Sequence, residues 1–219
     1  MKVDWNLIDT VLLDMDGTIL DLKFDNYFWQ EYVPSNFARD NLISIESAKA
    51  ILKPLFKDKE GSLDWYCLDY WSNELKLDIA GLKSELSEQI LYLPYAFDFL
   101  IRLQQSHRKV FLVTNAHRAS LSLKITKTNF DNYFDEIVSS HDYGVPKEHI
   151  GFWDQLNKNH EFDKDRAILI DDSFSVLNSA RNFGIKHLLS VSKPDSNLPL
   201  RLSTDFDCII DFRELMVGL

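Results

Sequence analysis

The chain has 219 residues, enough to bury one sizeable hydrophobic core and a small second domain. It carries 24 Lys and Arg against 34 Asp and Glu, which gives a formal net charge of -10. This acidic balance argues against nonspecific nucleic-acid binding, which needs an excess of basic residues. A site for a phosphorylated ligand must therefore contain local positive charge.

The first residues lack the basic start and apolar run of a signal peptide. No apolar stretch approaches the roughly 20 residues that span a bilayer. The two cysteines, Cys67 and Cys208, lie far apart and without a metal-ligand spacing. We therefore expect two free thiols in a cytoplasmic protein that binds neither membranes nor nucleic acid.

Short apolar runs mark the predicted strands. Residues 10–14, 110–114 and 167–171 are runs of this kind, and each ends in a polar residue. Such runs are typical of strands that are buried on both faces of a parallel sheet. Residues 136–139 and 185–191 are shorter candidates.

Predicted helices follow these strands. Ser173 is expected to cap a helix that ends before Gly184, and Leu121 and Ile125 mark a helix after the second strand. Strand and helix alternate from about residue 94 onward. The pattern predicts an α/β fold with a doubly wound, mostly parallel sheet.

Residues 21–93, called the insert below, interrupt this alternation. The stretch is rich in aromatic residues, and its apolar spacing is mostly helical. We predict a core domain of residues 1–20 and 94–219 and a small helical cap domain formed by the insert. Because a parallel sheet binds ligands at the carboxyl ends of its strands, the insert leaves the core beside the predicted ligand crevice.

Asp14 and Asp16 follow the first predicted strand. They lie two residues apart, so both side chains point the same way in an extended backbone, and Gly17 permits a sharp turn after them. Alone, this pair also fits an acidic loop or a helix cap. A helix-loop-helix calcium site is disfavoured, because its required glycine and glutamate positions hold Ile19 and Asp25.

Further polar groups follow in chain order, each at or near a predicted strand end or helix start: Thr114 with Asn115, Lys147, and Asp171 with Asp172. Individually these are common as a turn, a solvated lysine and a helix start. Their order, after a candidate nucleophile and at strand ends, indicates a single site.

In these four motifs the sequence resembles the haloacid dehalogenase-like (HAD) superfamily of aspartate-dependent phosphotransferases, and the resemblance covers essentially the whole chain. The insert lies where this superfamily carries a helical cap of the C1 type. Residues 11–18, 24–29 and 65–71 further resemble the bacterial branch of GMP/IMP 5'-nucleotidases. The resemblance implies a Mg²⁺-dependent phosphomonoesterase acting on a small molecule, a purine monophosphate such as GMP or IMP.

The resemblance also implies roles for the acidic residues. Asp14 is the expected nucleophile, which forms an aspartyl-phosphate, and Asp16 is the expected general acid and base. Mg²⁺ prefers oxygen ligands. We expect these from Asp14, the backbone carbonyl of Asp16 and Asp172, with Asp171 holding a metal-bound water.

The phosphoryl oxygens need hydrogen-bond donors and positive charge. Thr114, the backbone amides of Met15 and Asn115, and the ammonium group of Lys147 are the expected donors. Lys147 and Mg²⁺ together balance three of the four acidic charges. The site is neutral before reaction if Asp16 is protonated, although the sequence does not decide its pKa.

The residues that contact the leaving group are less well defined. Most aromatic residues of the insert are expected to form its own core, while a minority stack on a nucleobase. His117 follows the second motif and fits a substrate contact and a plain helix start equally well. The candidates for stacking are Phe28, Tyr66 and Trp71, and those for hydrogen bonds to the base are Asn26, Asp69 and Asn73.

Three alternatives stay open on this fold: a sugar-phosphate phosphatase, a phosphomutase and a catalytically silent binding module. A dehalogenase fits less well, because the dehalogenases of the superfamily lack the second acid of the first motif, present here as Asp16. Loss of a motif residue would favour the silent module, and none is lost.

Overall fold

The computed structural model describes residues 3–201 and 205–219. Met1, Lys2 and residues 202–204, which the predicted core domain includes, lie outside the described residues. Among the helices of the described ranges, none combines the length and apolar character needed to cross a membrane.

A parallel sheet of six strands forms the centre of the described structure, in the order β3-β2-β1-β4-β5-β6. All neighbouring strands run parallel, so the predicted parallel sheet is confirmed. The central strand β1 is fully buried. The strands are β1 (Thr10–Leu13), β2 (Lys109–Thr114), β3 (Glu136–Ser139), β4 (Ala167–Asp171), β5 (His187–Val191) and β6 (Asp207–Ile209).

Helices cover both faces of this sheet. Successive strand residues point to opposite faces, so β1 contributes Val11 and Leu13 to one hydrophobic cluster and Leu12 to another. Helices α7 and α8 pack in the first cluster, and α10 and α11 pack in the second. The helices outside the insert are α7 (Ala96–Gln104), α8 (Arg118–Thr128), α9 (Ser140–Tyr143), α10 (Ile150–His160) and α11 (Phe174–Phe183).

The edge strand β6 was not predicted. It is three residues long, Asp207 in it is exposed, and Cys208 is only partly buried. The helix expected after Asp172 is present as α11, which ends at Gly184 with φ of 106°. Ser173 occupies the cap position, but its hydroxyl contacts Ser175 instead of the helix amides.

The insert is helical, as predicted. Side chains at helix starts accept backbone amides: Ser44 caps α3, and Asp78 caps α6. Its elements are α1 (Lys23–Tyr27), a π-helical turn (Phe28–Tyr32), α2 (Val33–Asp40), α3 (Ile45–Lys59), α4 (Leu63–Tyr66), α5 (Leu68–Leu75) and α6 (Ile79–Glu85). The division of the chain into two domains stays a prediction.

The two ends of the insert run side by side. Leu20 forms an antiparallel bridge with Tyr92, the Asp21 amide donates to the carbonyl of Leu91 at 2.8 Å, and the Leu93 amide donates to that of Ile19 at 2.9 Å. The chain therefore leaves and re-enters the sheet region at one place, close to the end of β1. This arrangement holds the insert over the carboxyl ends of the strands.

Candidate active site

The four predicted motifs meet at the carboxyl edge of the sheet. Asp14 directly follows β1, Thr114 ends β2, and Asp171 ends β4. Lys147 reaches the same place from the segment between α9 and α10. All four line a cavity of about 360 Å³ that lies between the sheet and the insert.

The ammonium group of Lys147 joins two of the acids. Its Nζ donates to Asp14 Oδ1 at 2.6 Å, to Asp171 Oδ2 at 2.7 Å and to the Val113 carbonyl at 2.9 Å. Burial alone would lower the pKa of Lys147, but the two carboxylates raise it above its usual range. Lys147 therefore supplies the local positive charge that the acidic sequence requires.

The second oxygen of Asp14 has no such partner. Oδ2 is buried and makes no hydrogen bond to any described residue. Carboxylate oxygens of Asp14, Asp171 and Asp172 lie within 4.8 Å of one another. Burial raises the pKa of Asp14 and of Asp172, each to about 7. An unpaired buried oxygen within three acids fits a hard cation, because Mg²⁺ takes oxygen ligands.

The two adjacent acids differ in their free oxygens. Asp171 uses both: Oδ2 accepts from Lys147, and Oδ1 accepts from the Ser173 amide at 2.8 Å. Asp172 accepts from Arg201 through Oδ2 at 3.1 Å and is more exposed than Asp171. Asp172 is thus the better placed of the two to bind a metal ion directly.

Gly17 allows the first motif to approach Asp172. Its φ is +85°, a conformation that L side chains rarely adopt, and a Cβ atom there would lie 2.7 Å from Asp172 Cγ. Only glycine lets the turn after Asp16 pass this close to the acids of the last motif.

Two residues of the second motif have different surroundings. Thr114 is buried beside the cavity, and its hydroxyl oxygen accepts the Ala116 amide at 3.0 Å, which leaves the hydroxyl proton available. The Asn115 side chain instead braces the neighbouring segment, because its Oδ1 accepts the Lys147 amide and its Nδ2 donates to Glu148, both at 2.9 Å. The Asn115 side chain is therefore not available to phosphate. The backbone amides of Asn115 and Met15 stay candidate phosphate contacts.

A second charge network surrounds Asp16. Lys124 Nζ donates to Asp16 Oδ1 at 2.5 Å and to Asp25 Oδ2 at 2.7 Å, and Lys83 Nζ donates to Asp25 Oδ1 at 2.6 Å. Both lysines are buried. Burial raises the pKa of Asp16 against the pull of Lys124, whereas the two lysines overcome burial and hold the pKa of Asp25 at about 2.

This network was not predicted from the sequence, and it changes the charge count. Lys83, Lys124 and Asp25 add one net positive charge beside the four acids, and Arg201, which donates to Asp172, adds another. One signal in the sequence indicated a buried lysine. Lys124 lies on the same face of α8 as Leu121 and next to Ile125, and a helix that packs on a sheet normally carries apolar residues on that face.

The insert lines the cavity with aromatic residues. Tyr66 and Trp71, predicted to contact substrate, are among them, as is His117 from the core. Phe28 is not; it is fully buried in the insert's own hydrophobic cluster. The prediction for Phe28 is corrected, because the helical turn that carries it points its ring inward. The lining aromatic residues that were not predicted are Trp29, Phe56 and Trp65.

The predicted partners for hydrogen bonds to a base also differ in position, because only some of them line the cavity. Asn26 lines the cavity and donates to Asp195 Oδ2 at 2.7 Å. Asp69 and Asn73 are exposed and do not line it. Gln30, which was not predicted, adds a second polar side chain from the insert.

Tyr66 connects the insert to the core across the cavity. Its hydroxyl donates to Glu148 Oε1 at 2.5 Å, while Asn115 holds the other oxygen of the same carboxylate. Burial and the charge of Glu148 raise the pKa of Tyr66, so the hydroxyl keeps its proton and the hydrogen bond. The insert is therefore closed over the strand ends in this structure.

Comparison with known proteins identifies the class to which this fold and site belong. A family model described as haloacid dehalogenase-like hydrolase matches residues 11–190. The chain belongs to this family, as its motifs predicted.

Particular relatives match all or most of its length. The GMP/IMP nucleotidase YrfG of Escherichia coli (strain K12) is 36% identical over 219 residues, which covers 100% of this chain and 99% of that protein. The glyceraldehyde 3-phosphate phosphatase of Pyrococcus abyssi is 25% identical over 191 residues, or 82% of this chain and 80% of that protein.

A solved structure supports the fold. A HAD phosphatase from Thermococcus onnurineus superposes with a TM-score of 0.75 over 92% of this chain and 93% of that chain, at 20% sequence identity. A likeness at this level of identity bears on the fold alone.

The charge network predicts a stability difference between two lysines of α8. Lys124→Gln leaves Asp16 and Asp25 without their shared buried cation, so we expect the free energy of unfolding to fall by about 3 kcal/mol, as for one broken buried ion pair. Lys127→Gln, three residues further along the helix, removes only a surface ion pair with the exposed Glu88. It should change the free energy of unfolding little. Urea unfolding of both variants measures the difference, and equal losses would contradict the network's importance.

Proposed function

We propose that this protein is a Mg²⁺-dependent phosphomonoesterase that works through an aspartyl-phosphate. The observation that carries the proposal is the state of Asp14 at the cavity wall. One of its oxygens is neutralised by Lys147, and the other is buried without a partner. A carboxylate at a cavity wall whose charge is supported by a neighbouring ammonium group can attack a bound phosphate ester.

The residues around Asp14 fit a magnesium ion. Asp14, Asp172 and the backbone carbonyl of Asp16 would hold it, with Asp171 supporting a coordinated water. When bound, Mg²⁺ offsets the charge of the acids and of the phosphate dianion.

The reaction then follows from the positions of the side chains. Asp14 attacks phosphorus, and the bond from phosphorus to the ester oxygen breaks as Asp16 gives its proton to the leaving alkoxide. Asp16 next takes a proton from water, which attacks the aspartyl-phosphate, releases inorganic phosphate and restores Asp14. Thr114 and the amides of Met15 and Asn115 hold the phosphoryl oxygens throughout, and Lys147 supplies positive charge beside them.

Asp14→Asn tests the nucleophile. The variant keeps the shape of the side chain but cannot form the aspartyl-phosphate, so we expect turnover to fall by several orders of magnitude with folding retained. Asp9→Asn, near the opposite end of β1 in an exposed ion pair with Arg166, is the matched control. Phosphate release and circular dichroism are the measurements. Near wild-type activity of Asp14→Asn in a preparation free of other phosphatases would overturn the assignment.

The two adjacent acids give a test of the metal site. Asp172→Asn should weaken Mg²⁺ binding more than Asp171→Asn, because both oxygens of Asp171 are already held by Lys147 and the Ser173 amide. Calorimetric titration with Mg²⁺ ranks the two variants. Chelation should also abolish wild-type turnover, and Mg²⁺ should restore it. The opposite ranking would show that Asp171 is the direct ligand.

We further propose a purine nucleoside monophosphate as substrate, GMP or IMP. The core motifs contact only phosphate and metal, so discrimination must come from the insert that covers the leaving group. Trp29, Trp65 and Tyr66 offer aromatic surface to a base at the cavity wall, and stacking is worth about 1–3 kcal/mol per base. The full-length identity to a relative named a GMP/IMP nucleotidase supports the same choice.

A substrate panel decides this proposal. We expect a higher kcat/KM for GMP and IMP than for AMP, because buried donors that meet a 6-oxo group would be left unpaired by adenine. Pyrimidine monophosphates and sugar phosphates complete the panel, and steady-state kinetics is the measurement. Equal values throughout, or a preference for a sugar phosphate, would remove the nucleotidase proposal and leave the chemistry at Asp14 in place.

A further inference from the structure

A cluster of metal-ligating side chains lies beside the active site, at the boundary of insert and core. Cys67 comes from the junction of α4 and α5, His117 precedes α8, and His141 lies in α9. Each offers one ligand atom, and these atoms lie within 4.8 Å of one another. Because the three residues are distant in sequence, no metal-ligand spacing in the sequence predicts the cluster.

His141 has a free ligand atom. Its Nε2 is buried and has no hydrogen-bond partner among the described residues. A buried imidazole nitrogen without a hydrogen-bond partner is free to bind a metal ion.

The other ligands are also available. Cys67 Sγ accepts one hydrogen bond, 3.4 Å from the Tyr70 amide, at the start of α5. His117 Nδ1 accepts one long hydrogen bond, 3.4 Å from the Ala119 amide. The exposed Asp69 places Oδ2 3.6 Å from His117 Nε2, so a carboxylate stands at the edge of the cluster.

The donor set selects the metal. One thiolate with two imidazoles is a borderline-soft set that favours Zn²⁺ in tetrahedral geometry and disfavours Mg²⁺. Zinc holds sulfur at about 2.3 Å and nitrogen at about 2.0 Å, so the atoms need to move by only about 1 Å to share one ion. We propose that Cys67, His117 and His141 form a zinc site separate from the catalytic acids, with the fourth position open to water.

Such a site joins two parts of the molecule that the active site also uses. Cys67 belongs to the insert, whereas His117 and His141 belong to the core, and His117 lines the catalytic cavity. Bound zinc therefore holds the insert closed over the strand ends and slows exchange of substrate and product. This consequence, unlike the binding itself, rests on the proposed phosphatase function.

Binding is tested without reference to activity. Co²⁺ replaces Zn²⁺ as a spectroscopic probe, with saturating Mg²⁺ present to occupy the acidic site. We expect one equivalent of Co²⁺ to give a thiolate-to-cobalt charge-transfer band, which Zn²⁺ abolishes by displacement. Cys67→Ser should remove the band, and His141→Asn should weaken binding at least tenfold. Cys208→Ser, which alters the other free cysteine, should leave the spectrum and affinity unchanged.

The site is overturned if wild type shows no thiolate band, or if Cys67→Ser and His141→Asn bind Zn²⁺ as tightly as wild type. A second arm follows phosphate release at saturating Mg²⁺. Zinc should slow wild-type turnover and slow Cys67→Ser much less. Zinc binding without any effect on turnover would overturn the inference that zinc holds the insert closed. Absence of turnover on every phosphomonoester would instead overturn the proposed function and leave the cobalt spectra to decide the site.

Discussion

The rest of the active site depends on the position of one buried ammonium group. Folding brings three largely buried carboxylates to the carboxyl edge of a parallel sheet, where their mutual repulsion is strong. Lys147 offsets this repulsion by donating hydrogen bonds to Asp14 and Asp171, and its third N–H donates to the Val113 carbonyl. All three donors of the group are used, so Lys147 fixes the acids in place as well as neutralising them.

The charge network around Asp16 links the insert electrostatically to the active site. Asp16 contacts Lys124, which also holds Asp25, and Asp25 in turn contacts Lys83. Asp25 and Lys83 belong to the insert, whereas Asp16 and Lys124 belong to the core. Any displacement of the insert that carries Asp25 away therefore changes the charge beside Asp16, the proposed acid and base. The segment that covers the cavity thus also influences the pKa of that residue.

Much of this architecture was predictable, because it follows from local pattern. Short apolar runs that end in Asp14, Thr114 and Asp171 are strands of a parallel sheet, and the carboxyl ends of such strands gather at one edge. The motif residues could therefore be placed together before any coordinates were known. The edge strand β6 is too short to show that pattern and was missed.

The remaining features depend on contacts between distant segments, which a single sequence does not reveal. Lys124 pairs with Asp16 and Asp25 across about 100 positions of the chain. Nothing near Lys124 indicates those partners. The aromatic residues of the insert were recognised as a group, but their orientation depends on how its short helices are rotated. Phe28 was therefore expected at the cavity, where the structure has its neighbour Trp29.

The paired ends of the insert have an evolutionary consequence. Leu20 and Tyr92 face each other in an antiparallel bridge, a geometry that places their Cα atoms about 5 Å apart. Any segment whose own ends lie that close together can replace residues 21–93 without disturbing the order or register of the sheet. The segment over the cavity can thus be exchanged while the strand order stays the same, provided that the replacement also restores the charges that Asp25 and Lys83 place beside Lys124 and Asp16.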